Sequence, residues 1–340
     1  MLYRINFVRL LIIKKVKSIL FTFLFLALFG CAPSGTIMEV VPVSETEPVL
    51  DDDDAADDSV VLSSMDGRRV WIVGTNKRRG LVWYDIQGKE LGRLEVGRLN
   101  NVDAVRIGDT NRFNLAAGNR TDLTIDLFEA DLDEGLIKPS GQLTLSLDDA
   151  YGLCALDSTI AIGDKSGNVQ LWSWAEQSII REIEFESSTE GCVFDSQNNH
   201  LFVGEEEKGI WRVELSSGEK FLFDDIDLGN LSADVEGLDI YESKDRRVLL
   251  ASSQGDDTFV AYDIETGKVL SKFRVGESLD GKTDEVTHTD GISILSKAVR
   301  NFPEGLLVVQ DDDNVDQDGQ QINQNFKVVD WRSVARLIQN

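Results

Sequence analysis

The run Thr189–Leu215, TEGCVFDSQNNHLFVGEEEKGIWRVEL, holds the plan of the whole chain. A carboxylate, Glu190, precedes a short apolar run, and a polar turn at Gln197–His200 leads to a second one. Glu205–Glu207 follow at once, and a third run opens at Gly209. Short, often alternating apolar runs broken by Asn, Asp and Gly are the pattern of antiparallel strands joined by hairpins. The second run and its sequel recur as VWIVGTNKRRGLVWYDI from Val70, IAIGDKSGNVQLWSW from Ile160 and LLASSQGDDTFVAYDI from Leu249. Weaker copies are FNLAAGNRTDLTIDLF from Phe113 and LLVVQDDDNVDQDGQQINQNFKVVDW from Leu306. Starts near 70, 113, 160, 201, 249 and 306 divide the chain into six units of roughly 40 to 58 residues, the period of a propeller blade.

The expected fold is therefore all-β, a six-bladed β-propeller closed by an N-terminal strand. Blade one is predicted from strands near 60–63, 70–74, 81–86 and 90–96, and blade three from strands near 152–156, 159–163, 168–173 and 179–185. Blade six shows three strands only, near 291–295, 305–310 and 325–331. The apolar patch Ile37–Val43 is predicted to supply its missing outer strand, which would pair the chain's beginning with its end and remove the edges of an open ring. Trp71, Trp83, Trp172, Trp174, Trp211 and Trp331 are all expected in strands as core residues, and no helical periodicity is visible before Val334.

Ahead of the blades, Arg4, Arg9, Lys14, Lys15 and Lys17 precede an apolar run Ile19–Phe29 that is short for a membrane span and reads as a secretory signal. Leu28-Phe29-Gly30-Cys31 looks like the lipobox of bacterial lipoproteins, in which the Cys thiol is acylated; the alternative is a plain signal peptide that contains a Cys. The expected division is a signal peptide at 1–30, a lipid-anchored tether and closing strand at 31–48, and the propeller at 49–340. By analogy, Ala32 after the Cys favours the outer membrane of a Gram-negative cell.

The net charge of −26 becomes about −31 once a segment with five cations and no acids is removed. Such a surface repels nucleic acid and calls for a cationic partner, or for metal ions between protein and an anionic substrate. Cys154 and Cys192 occupy similar places on the first strands of blades three and four, so in an exported protein they either pair or remain as two buried thiols.

In a propeller, residues just before the innermost strand of each blade ring one mouth of the central channel. Those positions hold Asp57 and Asp58, Asn101 and Asp103, Asp148 and Asp149, Glu190, Asp234 and Glu236, and Asp284 and Asp290. Carboxylates converging from every blade repel one another unless cations neutralise them, and an oxygen-only donor set suits Ca²⁺. Two His and few Cys speak against zinc or copper. The loops after the second strands, expected on the same face, carry Lys77 and Arg78, Asn119 and Arg120, Lys165, Glu205 and Glu206, and Asp311–Asn314. This arrangement predicts cations on one side of the ring and acids mainly on the other, which is what a phosphorylated substrate beside a metal cluster requires. Asn314-x-Asp316-x-Asp318-Gly319 opens like an EF-hand loop, but Asn325 stands where a bidentate Glu is needed, so a propeller-loop calcium site through Asp311, Asp313 and Asn314 is the better reading.

These residues are also those by which the chain resembles the β-propeller phytases, the calcium-dependent alkaline phytases of bacteria. The matching segments include ETEPV at Glu45–Val49, DAADD at Asp54–Asp58, TNK at Thr75–Lys77, NNVD at Asn100–Asp103 and NR at Asn119–Arg120. They continue with YG at Tyr151–Gly152, TEG at Thr189–Gly191, EE at Glu205–Glu206, DVEGL at Asp234–Leu238, TDGI at Thr289–Ile292 and NQNFK at Asn323–Lys327. The resemblance implies a channel mouth that binds several calcium ions and two neighbouring phosphates of phytate. By position it gives Asp57, Asp58, Glu190, Glu206, Asp234, Glu236 and Asp290 as calcium ligands, with Asp58, Glu190, Glu206 and Glu236 carrying the catalysis. Lys77, Arg78, Arg120, Tyr151 and Lys165 would contact phosphate, and Asp284, Asp311, Asp313 and Asn314 would hold a structural calcium. It further implies in-line attack on the phosphate monoester by a water bridging calcium ions, without a phosphoenzyme. The chain departs from the family where Ser59-Val60-Val61-Leu62 follows the first motif and where His288 stands in place of an acid or small polar residue. The reading is thus a monomeric, lipid-anchored 3-phytase. The alternatives are a non-enzymatic envelope propeller acting as a scaffold and a calcium-dependent lactonase or phosphotriesterase.

Overall fold

The computed structural model describes residues 37–339. Six sheets follow one another along the chain, each with its consecutive strands side by side in sequence order, and two of them gain an outer strand from the N-terminal segment. Blade one is built from Ala56–Ser63, Val70–Asn76, Gly80–Asp85 and Glu90–Glu95, and blade two from Leu99–Arg106, Arg112–Asn119, Thr124–Asp131 and Leu136–Thr144. Blade three uses Leu153–Leu156, Thr159–Gly163, Asn168–Ser173 and Ser178–Glu184; blade four uses Thr189–Asp195, His200–Glu205, Gly209–Glu214 and Lys220–Asp225. Val235–Glu242, Arg247–Ser253, Thr258–Asp263 and Val269–Val275 form blade five, while Ile292–Leu295, Leu306–Asp311 and Asn325–Asp330 begin blade six. The first strand of each blade packs against the first strand of the next, and the sixth against the first, which closes a ring around a channel.

The ring is closed by an N-terminal strand, but not by the predicted patch. Ser44–Glu45 pairs antiparallel with Asn325–Asp330 and completes blade six, extended by Val43 N–H to Val328 O at 2.8 Å and Thr46 N–H to Phe326 O at 2.9 Å. Met38–Val40, the core of the predicted patch, instead runs parallel to Val269–Val275 as a fifth strand of blade five. Its apolar residues suit either edge; the polar Ser44-Glu45 pair fits blade six because Glu45 Oε2 accepts from Asn325 Nδ2 at 3.0 Å.

Apolar residues of neighbouring blades interdigitate. Trp71 and Trp83 of blade one pack with Leu99, Phe113 and Phe128 of blade two, and Phe202 and Ile210 of blade four with Leu249 and Tyr262 of blade five. Each fully buried large side chain contributes roughly 1.5–3 kcal/mol. Two tryptophans depart from the strand expectation. Trp174 opens the turn after its strand, and Trp331 opens the helix Trp331–Leu337, capped by Asp330 accepting from Arg332 N–H at 3.0 Å. Buried Trp331 stacks on Tyr241 at 4.1 Å between ring centres, so the helix seals the gap beside blade five. Cys154 and Cys192 form a disulfide that joins the inner strands of blades three and four, with their Cα atoms 5.6 Å apart.

Candidate active site at the channel mouth

Four inner strands carry one residue more than their hairpin partners at the same level. The register shifts between Ala56 and Ser59, Leu99 and Val102, Thr189 and Cys192, and Val235 and Leu238. A β-bulge re-aims the residues it contains. Here the bulged pairs are Asp57-Asp58, Asn100-Asn101, Glu190-Gly191 and Glu236-Gly237. Tyr151-Gly152 and Asp290-Gly291 take the same place just ahead of the inner strands of blades three and six. The leading residues of these six pairs, Asp57, Asn100, Tyr151, Glu190, Glu236 and Asp290, converge. Glycine in second place permits this: a Cβ on Gly152 would lie 1.9 Å from Glu190 O, and one on Gly191 2.0 Å from Glu236 O.

Carboxylate oxygens of Glu190, Glu206 and Glu236 all lie within 4.8 Å of one another. Asn100 Nδ2 donates to Glu190 Oε1 at 2.7 Å, while Glu206 Oε1 and Glu236 Oε2 have no hydrogen-bond donor. Burial and the charge of Glu190 push Glu206 up to about 7, and Asp234 adds to the effect; the same two causes hold Glu236 well above the usual carboxylate range. Asp58 is raised by burial and by Asp57. Burial and the neighbouring acid Asp57 bring Asp290 to about 7 although Lys77 opposes them. Buried, unpartnered, mutually repelling oxygens with no nitrogen or sulfur among them fit a hard cation such as calcium.

The cations do not occupy a separate side of the ring as predicted. Lys77 sits among the acids, with Nζ 2.5 Å from Asp54, 2.7 Å from Asp290 and 3.0 Å from Asp57. Burial alone would lower the lysine's pKa; Asp57, Asp290, Glu190 and Asp54 outweigh it and keep the ammonium charged. Arg120 is clamped by both carboxylate oxygens of Asp149, at 3.0 and 2.7 Å, and lies 3.4 Å from Asn100 Oδ1. Arg120 and Lys165 Nζ flank the Tyr151 ring at 5.5 and 4.5 Å from its centre, a favourable cation–π arrangement. Burial, then Glu190, Glu236 and Glu206, push the Tyr151 phenol far above its usual pKa, so it stays a donor. Arg78, half exposed, reaches Asp53 at 2.9 Å.

Other predicted residues lie elsewhere. Asp103 lines the channel rather than its mouth, accepting from Ala155 N–H of blade three at 2.7 Å; Asp58 likewise takes Val102 N–H of blade two at 3.1 Å. Asp239, which the sequence reading missed, makes the same link from blade five to Ile294 of blade six. Ser59, where the chain departs from the resemblance, joins blade one to blade six through Ser293 at 3.0 Å. Of the second predicted calcium group, Asp284 and Asp311 gather around Lys327, whose side chain is fully buried. Asn314 donates to Asn323 O at 2.6 Å, and its Oδ1 and that of Asn325 have no donor. Asp313 stands apart beside Asp312 and exposed His288, whose Nδ1 is 3.8 Å from each. The EF-hand-like run folds as a turn closed by Gly319 N–H to Asp316 O at 2.8 Å. The sequence reading also missed Asn100, Asp54, the clamping role of Asp149, and Gln254, which donates to Asp290 at 2.6 Å. Aligning the six leading pairs would have exposed Asn100, since it occupies the place of Glu190.

The sequence profile of the Phytase family matches residues 31–340. The chain belongs to the phytase family. It is 32% identical over 329 residues to the 3-phytase of Bacillus subtilis (strain 168), covering 88% of this chain and 85% of that one. This phytase is thus a bacterial-type β-propeller enzyme that hydrolyses phytate, which sets aside the scaffold reading. Among solved structures, the computationally designed Ika8 protein overlays with a TM-score of 0.43 at 15% identity, over 79% of this phytase and 70% of that chain, too loosely to bear on either fold or function.

Proposed function

We propose that the chain is a calcium-dependent 3-phytase that releases orthophosphate from phytate by direct attack of water. The observation that carries this reading is the meeting of Glu190, Glu206 and Glu236 oxygens within 4.8 Å, two of them unpartnered, beside Lys77, Arg120, Tyr151 and Lys165. Asp57, Glu190, Glu206, Asp234, Glu236 and Asp290 are the residues that would hold calcium, whereas Asp58, turned down the channel onto Val102 N–H, lies outside the set. When bound, calcium neutralises charge on protein and substrate and acidifies water. Lys77 and Arg78 hold one phosphate by its oxygens, and Arg120, Tyr151 and Lys165 hold a neighbouring one. Glu206 Oε1, unpartnered at the mouth, takes the proton of the attacking water; as the new P–O bond forms, the bond from phosphorus to the inositol oxygen breaks and that oxygen takes a proton from solvent, while the Tyr151 hydroxyl hydrogen-bonds to a phosphate oxygen. The converging groups include no Cys or His to serve as a covalent nucleophile. A second calcium of structural character belongs with Asp284, Asp311 and Asn314, where two amide oxygens lack donors.

We also propose export and lipidation at Cys31, with residues 1–30 removed and the monomeric enzyme anchored to an outer membrane. Cys31 lies outside the described residues; the Cys154–Cys192 disulfide supports an oxidising compartment. Fatty-acid labelling that persists in Cys31→Ala would refute the anchor. For the reaction, the test is phosphate release from phytate by the form starting after Cys31, with added calcium and again with chelator, the first product being assigned by NMR. Release should require calcium and begin at the 3-phosphate; full release under chelation would overturn the metal assignment.

A further inference from the structure

Four successive aspartates, Asp51–Asp54, lie against three successive cations, Lys77–Arg79, in the loop between the second and third strands of blade one. Asp54 reaches Lys77 at 2.5 Å, Asp53 and Asp52 reach Arg78 at 2.9 and 3.7 Å, and Asp51 reaches Arg79 at 2.6 Å. The run is pinned at both ends. Asn323 Nδ2 donates to Val49 O and Leu50 O at 3.0 and 3.1 Å, and Gln324 Oε1 accepts from Ala55 N–H and Ala56 N–H, both at 2.7 Å. Between those pins the side chains of Asp52 and Asp53 are 89% and 81% exposed, and among the described residues Arg78 alone holds them.

Lys77 has three N–H donors, and three carboxylates surround it: Asp54, Asp57 and Asp290. A phosphate that engages Lys77 must therefore replace a carboxylate already there, and at Arg78 it competes with Asp52 and Asp53 for the guanidinium. Asp57 is buried and Asp290 largely so, whereas Asp52, Asp53 and Asp54 face solvent and are free to leave.

We propose that Asp52 and Asp53 are an internal counter-anion of the phosphate-binding loop, exchanged for substrate phosphate on binding, and so set the enzyme's affinity for phytate and for released phosphate. The inference rests on the reading of Lys77 and Arg78 as phosphate ligands. The exchange keeps Arg78 paired when the site is empty and eases product departure, because the carboxylates return as phosphate leaves.

The test is a double-mutant cycle on the whole enzyme with calcium, combining Asp52→Asn/Asp53→Asn with Arg78→Ala. In the wild-type background the paired Asn substitutions should lower the KM for phytate and the inhibition constant of inorganic phosphate about two- to fivefold, the range open to exposed ion pairs. In the Arg78→Ala background the same substitutions should have no effect. An equal drop in both backgrounds would mean general charge repulsion and would overturn the counter-anion. Arg78→Ala with an unchanged KM would overturn the phosphate-ligand reading, and the counter-anion with it.

Discussion

Alanine at position 191 tests whether the meeting of blades four and five at the mouth controls catalysis. Gly191 follows Glu190 in the bulge, and its φ lies where any residue fits, so the backbone accepts Ala without strain. Space does not: the new Cβ would stand 2.0 Å from Glu236 O and 2.9 Å from Glu236 C, whereas real Cβ contacts stop near 3.0 Å. The inner strands must therefore separate by about 1 Å at the level of Glu190 and Glu236, a small-to-large change of the kind that costs about 1–3 kcal/mol. A displacement of about 1 Å at reacting groups costs on the order of 100-fold in rate. The assay is kcat for phosphate release from phytate, with the unfolding midpoint measured alongside. Gly141→Ala is the control, because its Cβ would meet only Leu127 Cδ1, at 3.8 Å. A folded Gly191→Ala enzyme with kcat within about twofold of wild type would refute the argument that this contact positions the two glutamates.

Glu206→Gln should lower phosphate release at least about tenfold while leaving the unfolding midpoint unchanged or raised, since it removes a charge that Glu190 repels; near wild-type turnover would remove Glu206 from the site. Replacing Cys154 and Cys192 together by Ser releases a crosslink spanning 38 residues, and denaturant titration should register a loss of about 4 kcal/mol. Burial alone would raise Asp195, but Arg247 and Asn198 outweigh it and hold the carboxyl below its usual range. The folded pKa is thus the lower one, so this inter-blade pair stabilises fully above about pH 4 and its contribution disappears as pH falls further. Arg247→Gln should then cost about 3 kcal/mol at pH 7 and much less at pH 2, as read by denaturant midpoints at both.

The fold was legible because period, turn residues and alternation all point one way. The predicted strands of blades one, three and six fall within a few residues of those observed, and the all-β ring follows from their repeat. Ile37–Val43 misled because an apolar patch specifies an edge to cover without saying which edge. The choice between blades five and six rests on polar contacts such as Glu45 with Asn325, separated by almost the whole chain. At the site, the repeat located the acids leading into each inner strand, since a blade's start is a fixed place. What the repeat hid was the level of each side chain. One bulge residue decides whether an acid points to the mouth, as Asp57 does, or down the channel and onto the next strand, as Asp58 and Asp103 do. The pairing of Lys77 with Asp290, more than two hundred residues away, arises only from ring closure.

The first described residues stitch two blades in series, and this sets a load path. A pull on the chain upstream of Ile37 falls first on Met38–Val40, whose three paired positions lie on the rim of blade five. Ser44–Glu45, on which the circle depends, is shielded until that parallel strand has been stripped away. A protein held by its leading end would therefore yield in two mechanical steps, the outer one leaving the acidic channel mouth undisturbed.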